Sequence, residues 1–409
     1  MNLKKLFANW EFAPRTDSYD RAFIYLLTLS LILRIAWLDR PIGSLIFDEK
    51  YYVNVARIIL GRPHELDVYP DAVLGVDPNH EHPPLAKLII AFSMLVLGDN
   101  AYGFRLPSVI AGTVSIFIFY LLMKKASRSQ TLALISSFLF SFDNLIFVHS
   151  RIATLDIFVL GFMLLGFYWY FSGRVKLSAV AMALATLCKI GGFFGFLTLG
   201  AFQLARELAT KGRKTNWKGL LTFFGKYAIV YLGSFLVLLS LIDFFWAGYK
   251  NPFEHLSHIY TYTFALRAPD ARSPTDIWSY PWEWLLDQVK IHYATVNVSV
   301  YSDHSLARTY PSVDFIGAMN TTVIFLTIPA MVYGAYSYYR TRNEFALFTL
   351  AWFSMTYLPF IPAALFGHRI MYIFYFLNTV PAVAASIAYM IVKESPPKIA
   401  VVAYLAAAI

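Results

Sequence analysis

The chain has 409 residues, 58% of them hydrophobic and only 14% charged, with a formal net charge of +9. Soluble globular proteins carry about a quarter charged residues, so this chain has too few polar side chains to cover a water-facing surface, and its long apolar runs define an all-α polytopic membrane protein. The basic excess sits in short clusters between those runs, as in cytoplasmic loops, which excludes a nucleic-acid partner; the single cysteine, Cys188, excludes an internal disulfide.

Residues 1–21 are mixed polar, carry Lys4, Lys5, Arg15 and Arg21, and read as a cytoplasmic N-terminus. The run 22–38 has no small-residue cleavage site after it and reads as the first span rather than a signal peptide. An outer loop follows over 39–105, in which 84–98 is too short to cross and is expected to lie at the membrane face as an interfacial helix. Further spans are predicted at 106–123, 131–148, 157–172, 220–246, 313–339, 345–366 and 370–392. The stretch 177–205 must cross twice, turning near Lys189-Ile190-Gly191-Gly192, because a single crossing would put the basic cluster Arg206 to Lys218 outside. The result is about 10–11 transmembrane helices. They divide into a catalytic module over 22–246, an aromatic outer loop over 247–312 and C-terminal helices over 313–409. The last apolar run, 399–409, stops short of a full crossing and is either a surface helix or the start of a longer span.

The residues able to do chemistry gather on the outer side. Asp48 and Glu49 open an amphipathic pattern (Tyr52, Val55, Ala56, Ile59) about ten residues beyond the first span, where a helix dipole favours carboxylates. A helix start that simply prefers acidic residues is the plainer reading of this pair. His80-Glu81-His82-Pro83-Pro84 follows; two histidines and a glutamate permit a divalent metal, but the spacing is no zinc signature, and a loop leading into the next helix is the better reading. Arg105 lies at the outer end of the second span, where a guanidinium can grip a phosphate or simply anchor at the interface. His149 to Asp156, with Arg151, forms a short outer turn, and Lys189 and Arg369 also fall at outer span ends. Charges in such positions mark functional sites more often than accidents.

Carboxylates, cations and aromatics on one outer face, with no cytoplasmic domain for a nucleotide sugar, imply a donor carried on a membrane lipid. An acceptor hydroxyl needs a base, and a departing lipid phosphate needs cations. Direct displacement would invert the anomeric centre. A transporter is the competing class, but its charges would lie near the midplane in paired repeats, and no repeat is visible.

Phe47-Asp48-Glu49 with a following Tyr, His82-Pro83-Pro84-Leu85-Ala86-Lys87, Arg105-Leu106-Pro107-Ser108, the Arg151–Asp156 turn and Ser279-Tyr280-Pro281-Trp282-Glu283-Trp284 together resemble the protein O-mannosyltransferases, most strongly over 20–160. The resemblance implies a GT-C fold with a catalytic first outer loop. It also implies transfer of mannose, or a related sugar, from a dolichyl or polyprenyl phosphate to Ser or Thr of a protein, in the cell membrane with the site on the non-cytoplasmic side. Carried over, Asp48 is the base, Glu49 helps place the acceptor, and Arg105 holds the donor phosphate; Lys87 and Arg369 are the further cations expected to bind that phosphate. His80, His82, Arg151, Asp156 and Lys189 support them. The family chemistry does not require a metal. The loop 247–312 is too short for the large soluble domain of eukaryotic members, which implies a prokaryotic type. The aminoarabinose transferases acting on lipid A share the Asp-Glu loop and a Pro-Pro motif, and make a glycolipid acceptor the alternative.

Overall fold

The computed structural model describes residues 18–212, 215–269, 272–273 and 276–409; Lys4, Lys5, Arg15 and part of the basic cluster before Lys218 lie outside them. Chain order begins with α1 (Ser18–Ile35), α2 (Glu49–Ile59), α3 (Leu85–Leu97) and α4 (Ala101–Ser127). Helix α3 follows Pro83-Pro84, with Pro84 as its N-cap, and ends at Gly98 with φ +89°. Its 13 residues span about 20 Å at 1.5 Å each, short of a bilayer core of about 30 Å, as expected of an interfacial helix. Helix α4 is built to cross. Asn100 caps it by accepting from the Tyr102 and Gly103 amides, 27 residues follow, and Lys124 and Lys125 occupy its last turn.

Next come α5 (Gln130–Phe142), α6 (Asn144–His149), α7 (Asp156–Phe171), α8 (Val175–Cys188), α9 (Phe193–Lys211) and α10 (Trp217–Ile242). The stretch read as crossing twice is a helix pair, α8 and α9, joined by a 3₁₀ turn at Ile190–Gly192. Gly192 makes that turn: a Cβ there would lie 2.3 Å from the Ala185 carbonyl carbon, so only glycine lets the turn fold back onto α8.

Helices α11 (Pro252–Ala265) and α12 (Pro281–Trp284) lead to an antiparallel hairpin, β1 (Ile291–Ser302) with β2 (Ser305–Gly317). The hairpin corrects the predicted span 313–339. Residues 313–317 belong to β2, and α13 (Thr321–Thr341) starts only after the Asn320 cap. Alternating β-branched and aromatic residues over 291–301 carry a strand period, hidden in an all-helical reading. Helices α14 (Glu344–Tyr357), α15 (Phe360–Leu365), α16 (Val380–Glu394) and α17 (Lys398–Ala407) complete the chain. The predicted span 370–392 is likewise shortened, since 373–378 is a 3₁₀ segment ahead of α16.

Among the described residues, three helical stretches are long and apolar enough to cross a membrane: 101–127, 217–247 and 344–365. Shorter apolar helices pack with them around an aromatic core of Phe119, Phe140, Phe167, Phe202, Phe348 and Trp352. Polar staples fix the packing. Asp143 caps α6 with one carboxylate oxygen and accepts from the Asn320 amide with the other at 3.0 Å, and the Trp352 indole donates to the Asn378 carbonyl at 2.9 Å. A second, small core of Ile46, Val148, Ile152, Val296 and Phe315 binds the root of the hairpin to the loop between α1 and α2 and to the α6 turn.

Candidate active site

Glu49 and Arg105 form a buried pair. The Arg105 Nε donates to Glu49 Oε1 at 2.8 Å and its Nη2 to Oε2 at 2.7 Å; further bonds run to the carbonyls of Leu38, Arg40 and Ser44. A guanidinium has five N–H donors, and all five are engaged. Glu49 also accepts from the Ile46 and Ala153 amides. The pair thus clamps the loop between α1 and α2 to α4 and to the turn before α7. This corrects two expectations: Arg105 has no N–H left for a phosphate, and Glu49 has no exposed oxygen for an acceptor.

Lys87 is corrected for the same reason. Its ammonium is fully buried, paired with Asp77 at 2.6 Å, and donates to the Asn79 and His82 carbonyls. It locks the loop that carries the two histidines. His80 faces Tyr249, His255 and His258, and its carbonyl accepts from His255, whose other ring nitrogen lies 2.8 Å from Asp243. Sequence reasoning missed Asp243 and His255; the signal was a charge ending a long apolar run. Arg151 donates to the carbonyls of Leu33 and Ala36 at the C-terminal end of α1 and stacks on Phe147 and Phe315, so it staples helices.

Asp48 differs from all of these. It occupies the N-cap position of α2, yet its side chain makes no capping bond, and among the described residues its half-buried carboxylate has no hydrogen-bond partner. Burial pushes its pKa up to about 6, with the Lys189 ammonium pulling down and the Asp156 carboxylate pushing up. Lys189 is itself held by Asp156, at 2.9 and 3.1 Å, with its ammonium over the rings of Phe374 and Tyr375. Arg369 donates from Nε to the Thr263 carbonyl and from Nη1 to the Ile370 carbonyl and the Tyr375 hydroxyl; among the described residues its Nη2 has no partner. The His82 ring lies against Tyr52, and burial holds its pKa well below the usual histidine value, with the positive charges of Lys189, Lys87 and Arg369 adding to the effect.

The turns between these helices therefore bring Asp48, Asp156, Lys189, Arg369 and His82 into one charged cluster beside the rings of Phe374 and Tyr375, and place Glu49, Arg105, Lys87, Arg151 and His80 in its frame. Tyr293 of the hairpin, unforeseen from the sequence, joins it: its hydroxyl is 3.0 Å from His149 Nε2 and its ring packs on Phe47. Among the described residues, no group of three or more His, Cys, Asp or Glu could hold a metal ion.

The architecture is shared with solved structures of other proteins. The Saccharomyces cerevisiae protein O-mannosyltransferase Pmt1–Pmt2 complex bound to the sugar donor superposes with a TM-score of 0.71 at 11% identity, over 96% of this chain and 89% of that one. ArnT from Cupriavidus metallidurans bound to undecaprenyl phosphate gives 0.54 at 16% identity, over 89% of this chain and 59% of that one. The fold is thus the GT-C fold. Residues 81–242 match the family model described as dolichyl-phosphate-mannose-protein mannosyltransferase. A Mycolicibacterium smegmatis polyprenol-phosphate-mannose–protein mannosyltransferase is 30% identical over 160 residues, 38% of this chain; the matched stretch spans 30% of that relative's length. The Corynebacterium glutamicum enzyme of the same description is 24% identical over 90% of this chain and 81% of its own.

Proposed function

We propose that the protein is an inverting glycosyltransferase that moves mannose from a polyprenyl phosphate to a Ser or Thr hydroxyl of a protein, on the non-cytoplasmic face of the cell membrane. The observation that carries this reading is the contrast within the acidic pair: Glu49 is closed off by Arg105, while Asp48 keeps a carboxylate that is unbonded among the described residues and whose pKa burial pushes up to about 6. A base of that kind suits a hydroxyl nucleophile at physiological pH.

Asp48 takes the proton as the acceptor oxygen attacks the anomeric carbon. The carbon–oxygen bond to the phosphate breaks with inversion, and its electron pair leaves on the lipid phosphate. Arg369 and Lys189 supply positive charge to the departing group, with Asp156 holding Lys189 in place. These cations replace Arg105 and Lys87 of the original expectation. A lipid donor also fits the apolar groove of about 460 Å³ between α3, α4 and α7, lined by Phe92, Val96, Ile110, Val114 and Phe162. The test is an assay of membranes containing the full chain with labelled polyprenyl-phosphate mannose and a Ser/Thr peptide. Label in the peptide supports the reading; label in lipid alone moves the acceptor to the glycolipid class; label in neither rejects it.

A further inference from the structure

The hairpin has no role in the reaction so far, yet one of its side chains reaches the site. Pairing runs His292 with Ile316 and then Ala294 with Phe315, which leaves Tyr293 as the extra residue of a β-bulge. A bulge re-aims a side chain that regular pairing would send elsewhere. Here the Tyr293 ring lies 4.7 Å from Phe47, the residue before Asp48, whose φ of +52° is unusual for a non-glycine residue. The fit needs Gly317, the strand partner of Ile291, where a Cβ would fall 2.6–2.7 Å from the tyrosine ring and hydroxyl.

The hydroxyl is held as well as the ring. His149 Nε2 lies 3.0 Å from it and His149 Nδ1 lies 3.2 Å from Thr154 Oγ1, so a buried chain of three groups ends at the phenol. With the Thr154 hydroxyl donating to Nδ1, the neutral ring donates from Nε2 to the phenolic oxygen, and the phenolic O–H points onward. The charges of Asp48 and Asp156 both bear on that phenol, and burial with those charges holds its pKa well above the usual tyrosine value. It therefore stays protonated and able to donate.

We propose that Tyr293 is the acceptor-side contact of this site: its phenol holds the oxygen of the incoming hydroxyl while Asp48 removes the proton, and His149, Thr154 and Gly317 are positioning residues that act through it. The acceptor side is favoured over the donor side by where the elements sit. The cations suited to a phosphate, Lys189 and Arg369, sit on the rings of Phe374 and Tyr375, in the 3₁₀ segment ahead of α16. Tyr293 instead comes from a hairpin whose far half is open, with Val300, Tyr301, Leu306 and Tyr310 exposed and Arg308 over the Tyr310 ring. That exposed half offers apolar and aromatic surface to a polypeptide. This inference rests on the transfer reaction proposed above.

The experiment compares the full-length wild type with Tyr293→Phe, which keeps the ring packing and removes only the hydroxyl. Three quantities are read with labelled polyprenyl-phosphate mannose: transfer to a Ser/Thr peptide, hydrolysis of the donor by water without peptide, and donor affinity. The expected result is a loss of peptide transfer of about tenfold, the scale of one hydrogen bond, with hydrolysis and donor affinity unchanged. His149→Phe should lose a similar factor, and the double variant should lose no more than the larger single loss. Unchanged transfer in Tyr293→Phe overturns the proposal, and so does a parallel fall in hydrolysis or donor affinity. A wild type that transfers no label would instead remove the mannosyl-transfer reading itself.

Discussion

Asp48 and Glu49 are adjacent in the chain and opposite in circumstance. Glu49 turns inward, with both oxygens bonded to Arg105 and to backbone amides. Asp48 turns toward Lys189 and Asp156 and, among the described residues, keeps an unbonded carboxylate. A helix start rotates successive side chains by about 100°, so one acidic dipeptide supplies both a structural clamp and a free base.

Asp48→Asn is expected to lower transfer by about 10²- to 10⁴-fold, the contribution of a positioned general base. Because Asp48 makes no capping bond, membrane insertion and thermal stability should survive. Retention of full activity in that variant would exclude the assigned base.

The pH dependence follows from the same residue. The base must be ionised, so kcat/KM should rise with pH to about 6, the value to which burial pushes Asp48, and level off above it. Stability has the opposite sign. The folded chain holds the Asp48 proton more tightly than the unfolded chain does, so this group's contribution is present below about pH 4 and is lost as pH rises through about 6. Melting temperatures of wild type and Asp48→Asn across that window read the effect; a gap that does not move with pH contradicts it.

Arg105→Ala leaves Glu49 charged and buried without its partner, a loss of about 3–5 kcal/mol for a pair of this kind. Arg105→Lys cannot restore the two-pronged contact. Both variants should show lowered melting temperatures, and whatever protein remains folded should bind donor with unchanged affinity. A selective loss of donor affinity at normal stability would return Arg105 to the phosphate.

Ala111 lines the apolar groove between α3, α4 and α7. Ala111→Phe fills part of that space and should raise KM severalfold for a long-chain donor but not for a short-chain analogue, since only the longer chain gains from apolar burial there. Equal effects on both donors would dissociate the groove from the lipid.

By itself the sequence determined the class, the helix pair turning at Lys189–Gly192, the short α3 behind two prolines and the grouping of Asp48, Asp156, Lys189 and Arg369. Those properties follow from composition, apolar run length and local charge, which are written along the chain. The tertiary structure decided which of the charged residues are free. Arg105, Lys87 and Lys189 look alike as cations near a membrane face, but only packing against Glu49, Asp77 or Asp156 determines how many N–H groups each has left. It also decided the place of Tyr293, because a bulge is a register relation between the two paired strands and leaves no mark in either strand alone.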